Sequence, residues 1–218
     1  MSFLDILSQL GWGVAYTILV TFACSVTGVV AGLVITGLRS LAVPGLAYAL
    51  NAYTYIFRGV PVLVLLFLVY FGLPSIGIRI SPLVAMMCSL GLIAGAYLSE
   101  VFRGALASVD PAEILAAEAM GMSRLQIFRY IQFPQMIRFS VPGMVNEFTS
   151  VLKSSPFAYT VGIPEITKQA MALTATTLRG IEVYLAVGIL YFVIYRLFLF
   201  AVNQAEKRFS VPGIAPIN

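Results

Sequence analysis

The stretch Ile6–Leu38 reads ILSQLGWGVAYTILVTFACSVTGVVAGLVITGL and holds no Asp, Glu, Lys or Arg. A helix needs about 20 apolar residues to cross the hydrocarbon core of a bilayer, so this stretch alone is long enough to span one. The first span is expected over about 13–38, behind a short amphipathic start, with Arg39 as its stop. Working outward, four more apolar runs follow, at about 52–71, 82–102, 139–161 and 181–202, the last two joined by an irregular polar connection with many Thr at 163–179. Pro44-Gly45 and Asn51 read as a turn after the first span. Residues 72–77 form a reversal, and Pro82 suits the first turn of the third span. The expected fold is all-α: a polytopic membrane helix bundle of about five transmembrane helices plus short cytoplasmic helices.

Composition agrees. Of 218 residues, 60% are hydrophobic and 10% charged, against roughly 25% charged in an ordinary soluble domain. That is too little charge to cover a water-facing surface, which excludes a soluble enzyme, a disordered chain and a nucleic-acid binder. The chain has no His, so the usual general base and the commonest metal ligand are missing, and no metal site is expected. Cys24 and Cys88 lie in apolar runs and read as buried inert thiols. Met1-Ser2-Phe3-Leu4-Asp5 has no basic region and reads as a poor signal peptide. The expected organisation is an N-terminal extracytoplasmic segment at 1–12, a membrane domain at 13–204 and a cytoplasmic tail at 205–218.

Basic residues set orientation. With the N-terminus outside, the inner side carries Arg39, Arg58, Arg103, Arg124, Arg129, Arg138, Lys207 and Arg208, and the outer side Arg79, Lys168 and Arg179. This bias puts the N-terminus outside, the C-terminus inside and the long polar segment at about 104–137 in the cytoplasm.

That segment is the most informative. In Asp110-Pro111-Ala112-Glu113, Asp can cap a helix, Pro fits its first position and Glu can complete a capping box. Gly121 sits where a helix ends with positive φ. Ser123-Arg124-Leu125-Gln126 opens a second helix, which is expected to run toward Pro134. A helix–Gly–helix of this kind either packs on its own bundle or docks into a partner's groove, and Ala116, Ala117 and Ala119 permit close approach.

Ala116-Ala117-Glu118-Ala119-Met120-Gly121, followed by Ile131-Gln132-Phe133-Pro134, resembles the EAA loop of ATP-binding-cassette importer permeases. Leu115 stands where that family carries its Glu, and Phe133 replaces a Leu. Tyr55-Ile56-Phe57-Arg58-Gly59-Val60-Pro61 resembles the polar amino acid permease subfamily. So do Tyr97–Gly104, Asn146–Ser155 and Gly162–Thr167. The resemblance covers about 13–204. It implies a dimeric permease built with a second, identical or similar subunit, two ATPase subunits and an extracytoplasmic amino acid-binding protein. It further implies alternating access in a bacterial cytoplasmic membrane, with ATP and magnesium on the ATPase and no cofactor in this chain. No Gly-x-x-x-x-Gly-Lys-Ser/Thr occurs, as a subunit powered by another polypeptide requires.

Charges within spans are costly and normally face protein or water. Glu147 and Lys153 are six residues apart, which at about 100° per residue places them about 120° from one another and keeps them from pairing. Asn146, Ser150 and Ser154 follow at four-residue steps and form a polar stripe, either a translocation face or interhelical glue, and together with Glu147 and Lys153 they are the candidate pathway residues. Glu100 and Arg103 are spaced for an ion pair. Arg58 either snorkels or joins Glu100. Tyr53, Tyr55 and other tyrosines read as interfacial anchors. Glu147 and Lys153 keep an ion-coupled secondary transporter in view, and a non-transporting membrane scaffold is the third reading.

Overall fold

The computed structural model describes residues 2–41, 43 and 45–209. Ala42 and Pro44 of the expected turn and residues 210–218 of the expected tail lie outside them. The described residues form no strand. The helices are α1 (Phe3–Ser40), α2 (Leu46–Gly59), α3 (Val62–Phe67), α4 (Pro82–Met86), α5 (Leu92–Ala107), α6 (Pro111–Ala119), α7 (Arg124–Ile127), α8 (Phe133–Ser154), α9 (Ile166–Thr177) and α10 (Gly180–Phe209). Among the described residues, Phe3–Ser40, Pro82–Ala107 and Gly180–Val202 are long and apolar enough to cross a membrane. The pair Leu46–Gly59 and Val62–Ile76, bent by 105°, makes a fourth if it is one span. Helix α8 fills the place of the expected fourth span, but Arg138, Glu147 and Lys153 lower its apolarity.

Several boundaries differ from expectation, each for a local reason. Helix α1 begins at Phe3, with no separate start before residue 13. The turn expected over 42–51 closes early, because Gly45 takes φ 86° and α2 begins at Leu46, so Asn51 lies inside a helix. The second span is broken at Val60-Pro61: Val60 is extended before a proline, which disfavours the helical region for the preceding residue. Helix α7 does not stop at Pro134. A π turn over Phe128–Gln132 joins it to α8, and widening the helix there accommodates a ring that lacks the N–H of a regular helix. The connection expected to be irregular at 163–179 contains α9, capped by the side chain of Glu165.

The chain divides into two compact units. In the unit formed by residues 18–163, the stretch Pro82–Ala107, which ends in α5, is the buried one. Small residues form its seam with α1. A Cβ on Gly95 would lie 2.6 Å from Ala31 Cβ, and one on Gly28 2.9 Å from Ala94 Cβ, the close approach that holds helices together without a hydrophobic driving force. On another side Leu98, Phe102, Ala105 and Met136 bury against Ile137, Met144 and Phe148, joining α5 to α8. The Tyr53 hydroxyl donates to the Leu92 carbonyl at 2.7 Å, tying α2 to the start of α5. Cys24 is buried, Cys88 is half-buried and both are free.

The other unit comprises residues 1–17 and 164–218. Ile6, Leu10, Ile166, Ala170, Val183, Ala186 and Val187 form its core. Glu165 is fully buried. Its carboxylate accepts from the Thr167 and Lys168 amides at 2.8 Å each and from the Tyr191 hydroxyl at 3.0 Å. Burial pushes this carboxyl above the usual carboxylate range, against the pull of those donors.

Candidate coupling loop and translocation face

The loop forms as its residues dictate. Asp110 Oδ1 accepts from the Ala112 amide at 2.8 Å and Pro111 takes the first helical position. Glu113 accepts from the Gln135 side chain at the base of α8 and so does not close a capping box on itself. Helix α6 ends in a Schellman turn, with the Gly121 amide donating to the Glu118 carbonyl at 2.9 Å and the Met122 amide to the Ala117 carbonyl at 3.1 Å. Gly121 has φ 78°. Ser123 and Gln126 complete a reciprocal capping box.

The faces of α6 correct one expectation. Ala117, expected on the docking face, is 4% exposed and turned into its own unit, whereas Leu115 is 64% exposed. Ala116, Ala119 and Met120 are exposed beside it. Three residues separate α6 from α5. Ile131 is half-buried in the π turn, and Pro134 is exposed on the first turn of α8.

On α8, Asn146, Ser150 and Lys153 are exposed, while Glu147 and Ser154 are half-buried. Lys153 therefore takes the place in the stripe that was expected of Ser154. Seven residues from Asn146 come to about 700°, within about 20° of the same face, and that spacing was the available signal. Phe139 and Pro142 continue the same face, so it is apolar toward the start of α8 and polar toward its end.

Glu100 and Arg103 meet at 2.9 Å. Arg58 does not join them. Its guanidinium lies over the Tyr97 ring at 5.0 Å from the centroid. The second cation on Glu100 is Arg39, at 2.6 Å, a pairing across 61 positions that local spacing does not signal.

Among the described residues no group of His, Cys, Asp and Glu is placed to hold a metal. An apolar, largely helical chain with a polar helix face and a helix–Gly–helix between long helices has the make-up of a membrane transport subunit. Residues 28–211 match the family described as the binding-protein-dependent transport system inner membrane component, and the chain belongs to that family. It is 34% identical over 199 residues to the probable amino-acid permease protein YxeN of Bacillus subtilis, covering 90% of this chain and 89% of that one. It is 33% identical over 212 residues to the histidine/lysine/arginine/ornithine transport system permease protein HisQ of Escherichia coli, covering 91% and 92%. The solved structure described as an amino acid ABC transporter with histidines aligns with TM-score 0.87 and 30% identity, over 96% of this chain and 99% of that one. The inward-facing MetNI methionine ABC transporter shares the fold, with TM-score 0.78 at 22% identity. The chain is thus an inner-membrane permease subunit of an ABC importer, and ATP hydrolysis belongs to a separate subunit.

Proposed function

We propose that this permease imports a polar amino acid or close analogue, and that the exposed Asn146–Ser150–Lys153 face of α8 borders its path. The observation that carries the reading is this polar face on a helix otherwise packed through apolar residues, in a chain whose relatives are named as amino-acid permeases. Polar groups facing hydrocarbon are costly, so such a face belongs against water, substrate or a second permease subunit. Two ATPase subunits engage the α6–Gly121–α7 element, one from each permease copy. A binding protein delivers the amino acid, and ATP with magnesium stays on the ATPase, leaving this chain without a cofactor. Glu147 and Ser154, at the edge of the stripe, shape the path without lining it fully.

The test is uptake by vesicles holding the permease, its ATPase and its binding protein, with radiolabelled histidine, arginine, glutamine and glucose. Uptake of at least one amino acid and not of glucose is expected, and it should stop when ATP is withheld. Uptake that follows an ion gradient and ignores ATP would instead return the secondary-transporter reading. In the same vesicles Ser150→Leu should lower uptake about tenfold, the worth of roughly one hydrogen bond to a polar ligand. Ser150 is exposed within the subunit, so abundance should hold. Equal loss of abundance and uptake would make the stripe structural glue.

The orientation follows the basic bias, with the N-terminus outside and the α5–α8 loop inside. Ser8 and Ser108 are both exposed. In a Cys24→Ala, Cys88→Ala background, an impermeant thiol reagent on intact cells should label Ser8→Cys and spare Ser108→Cys. The opposite pattern reverses the topology.

A further inference from the structure

A charge cluster near the α6 end of α5 takes no part in the path or the loop described above. Glu100 Oε1 accepts from Arg39 Nη1 at 2.6 Å, and its Oε2 accepts from Arg103 Nε at 2.9 Å. Arg39, at the end of α1, turns Nη2 to two acceptors on α2, Asn51 Oδ1 and Thr54 Oγ1, at 3.1 Å each. One guanidinium thereby joins three helices. Arg39 and Glu100 have side chains 14% and 25% exposed, whereas Arg103 is 60% exposed. The fork is a geometry that a guanidinium supplies and an ammonium does not.

Stability alone is a poor account of this cluster. A partly buried ion pair such as this one returns little net free energy against its desolvation. Here the buried Arg39 Nε also has no hydrogen-bond partner among the described residues, which adds cost. Helix α1 is already seated on α5 through Gly28, Gly32, Gly91 and Gly95. Helix α2 also lies along α5, but without a glycine seam, since a Cβ on Gly59 would meet nothing within 4 Å. Its polar ties to α5 are Tyr53 to the Leu92 carbonyl, Tyr97 to the Arg58 carbonyl and the Arg39 fork. Of these, the Arg39 fork lies nearest the end of α5 from which α6 departs, seven residues after Glu100.

We propose that Arg39 and Glu100 are positioning residues for import: they clamp α2 to α5 beside the coupling loop, so that a displacement of α6 is delivered to α2 and to the break that follows it. The inference rests on the coupling-loop reading given under the proposed function. Asn51 and Thr54 are the α2 side of the clamp, and Glu100 is its fixed point on α5.

The test uses the complete transporter in vesicles and reads two ratios. One is radiolabelled histidine, arginine or glutamine taken up per ATP hydrolysed. The other is ATP hydrolysis with the binding protein over hydrolysis without it, which requires no knowledge of the substrate. Arg39→Gln and Thr54→Val should each lower the ratios at least about fivefold, the lower end of measured coupling between sites. Arg39→Lys keeps the charge on Glu100 and loses the fork, and should resemble Thr54→Val. If Arg39→Gln does not accumulate, Thr54→Val and Asn51→Leu carry the test, since they touch only the α2 branch. Unchanged ratios in those two variants overturn the clamp, as does full rescue by Arg39→Lys. Gly121→Val separates the two readings. Loss of coupling in Gly121→Val with normal coupling in Thr54→Val and Asn51→Leu removes the clamp alone. Normal coupling in Gly121→Val with loss in Thr54→Val removes the loop reading, and the clamp as a relay from α6 falls with it.

Discussion

Vesicles carrying Gly121→Val are expected to hold normal amounts of the transporter yet lose binding-protein-stimulated ATP hydrolysis and uptake together, by about tenfold or more. The cause is conformational rather than steric. A Cβ at Gly121 meets nothing within 4 Å, but φ is 78°, and a β-branched residue there is strained by roughly 1–2 kcal/mol or more. Relief of that strain breaks the Schellman turn and changes the angle between α6 and α7. Leu115→Arg should give the same uncoupling by a different route. That side chain is largely exposed, so the free permease loses no packing, while an apolar docking contact would have to bury a charge. Ala117→Trp belongs to another class: Ala117 faces its own unit, so the variant should lower abundance. Normal stimulated hydrolysis and uptake by both Gly121→Val and Leu115→Arg would take the loop out of the mechanism.

Gly13→Ala should produce the largest loss of stability. A Cβ there would sit 2.6 Å from both the Cα and the N of Ile166, and 2.8 Å from the carbonyl carbon of Glu165. All three are backbone atoms of the capped start of α9, and no side chain can swing aside. The Ile166 amide is also committed to Thr17 Oγ1, at 3.4 Å, so the start of α9 is held again by the same face of α1 one turn on. Overpacking of this kind costs about 1–3 kcal/mol where side chains can adjust, and backbone contact places this site at the upper end. At about 2–4 °C per kcal/mol for a chain of this size, the thermal midpoint of the detergent-solubilised protein should fall by about 5 °C or more. Gly11→Ala, two residues earlier with nothing within 4 Å, should change it little. Matching midpoints for the two variants would show that α1 and α9 do not pack this way.

What was legible in the residues was what short range decides. The uncharged run at 6–38 needs a membrane whatever packs beside it. Asp110-Pro111, Ser123 with Gln126, and Gly121 act within one turn of their own helices, so their capping roles and the positive φ could be read directly. Glu100 and Arg103 are neighbours on one helical face by spacing alone. The polar stripe of α8 was half legible. Asn146 and Ser150 were found at four-residue steps, but extending those steps to Ser154 drifts off the face, which Lys153 keeps.

Sequence alone thus determined the membrane class, the helix–Gly–helix and the Asn146–Ser150 part of the polar stripe, because each depends on composition or on intervals shorter than two helical turns. Tertiary structure decided the rest. It passed the helix through Pro134 by way of a π turn and made a capped helix of a Thr-containing segment by burying the carboxylate of Glu165. It turned Ala117 inward and left Leu115 facing out. It also brought Arg39 to Glu100 across 61 positions while Arg58, only 42 residues from Glu100 in sequence, stacked on Tyr97. The physical reason is the same in each case: the partner that satisfies a proline ring, a carboxylate or a guanidinium lies on another helix, and only packing decides which helix that is.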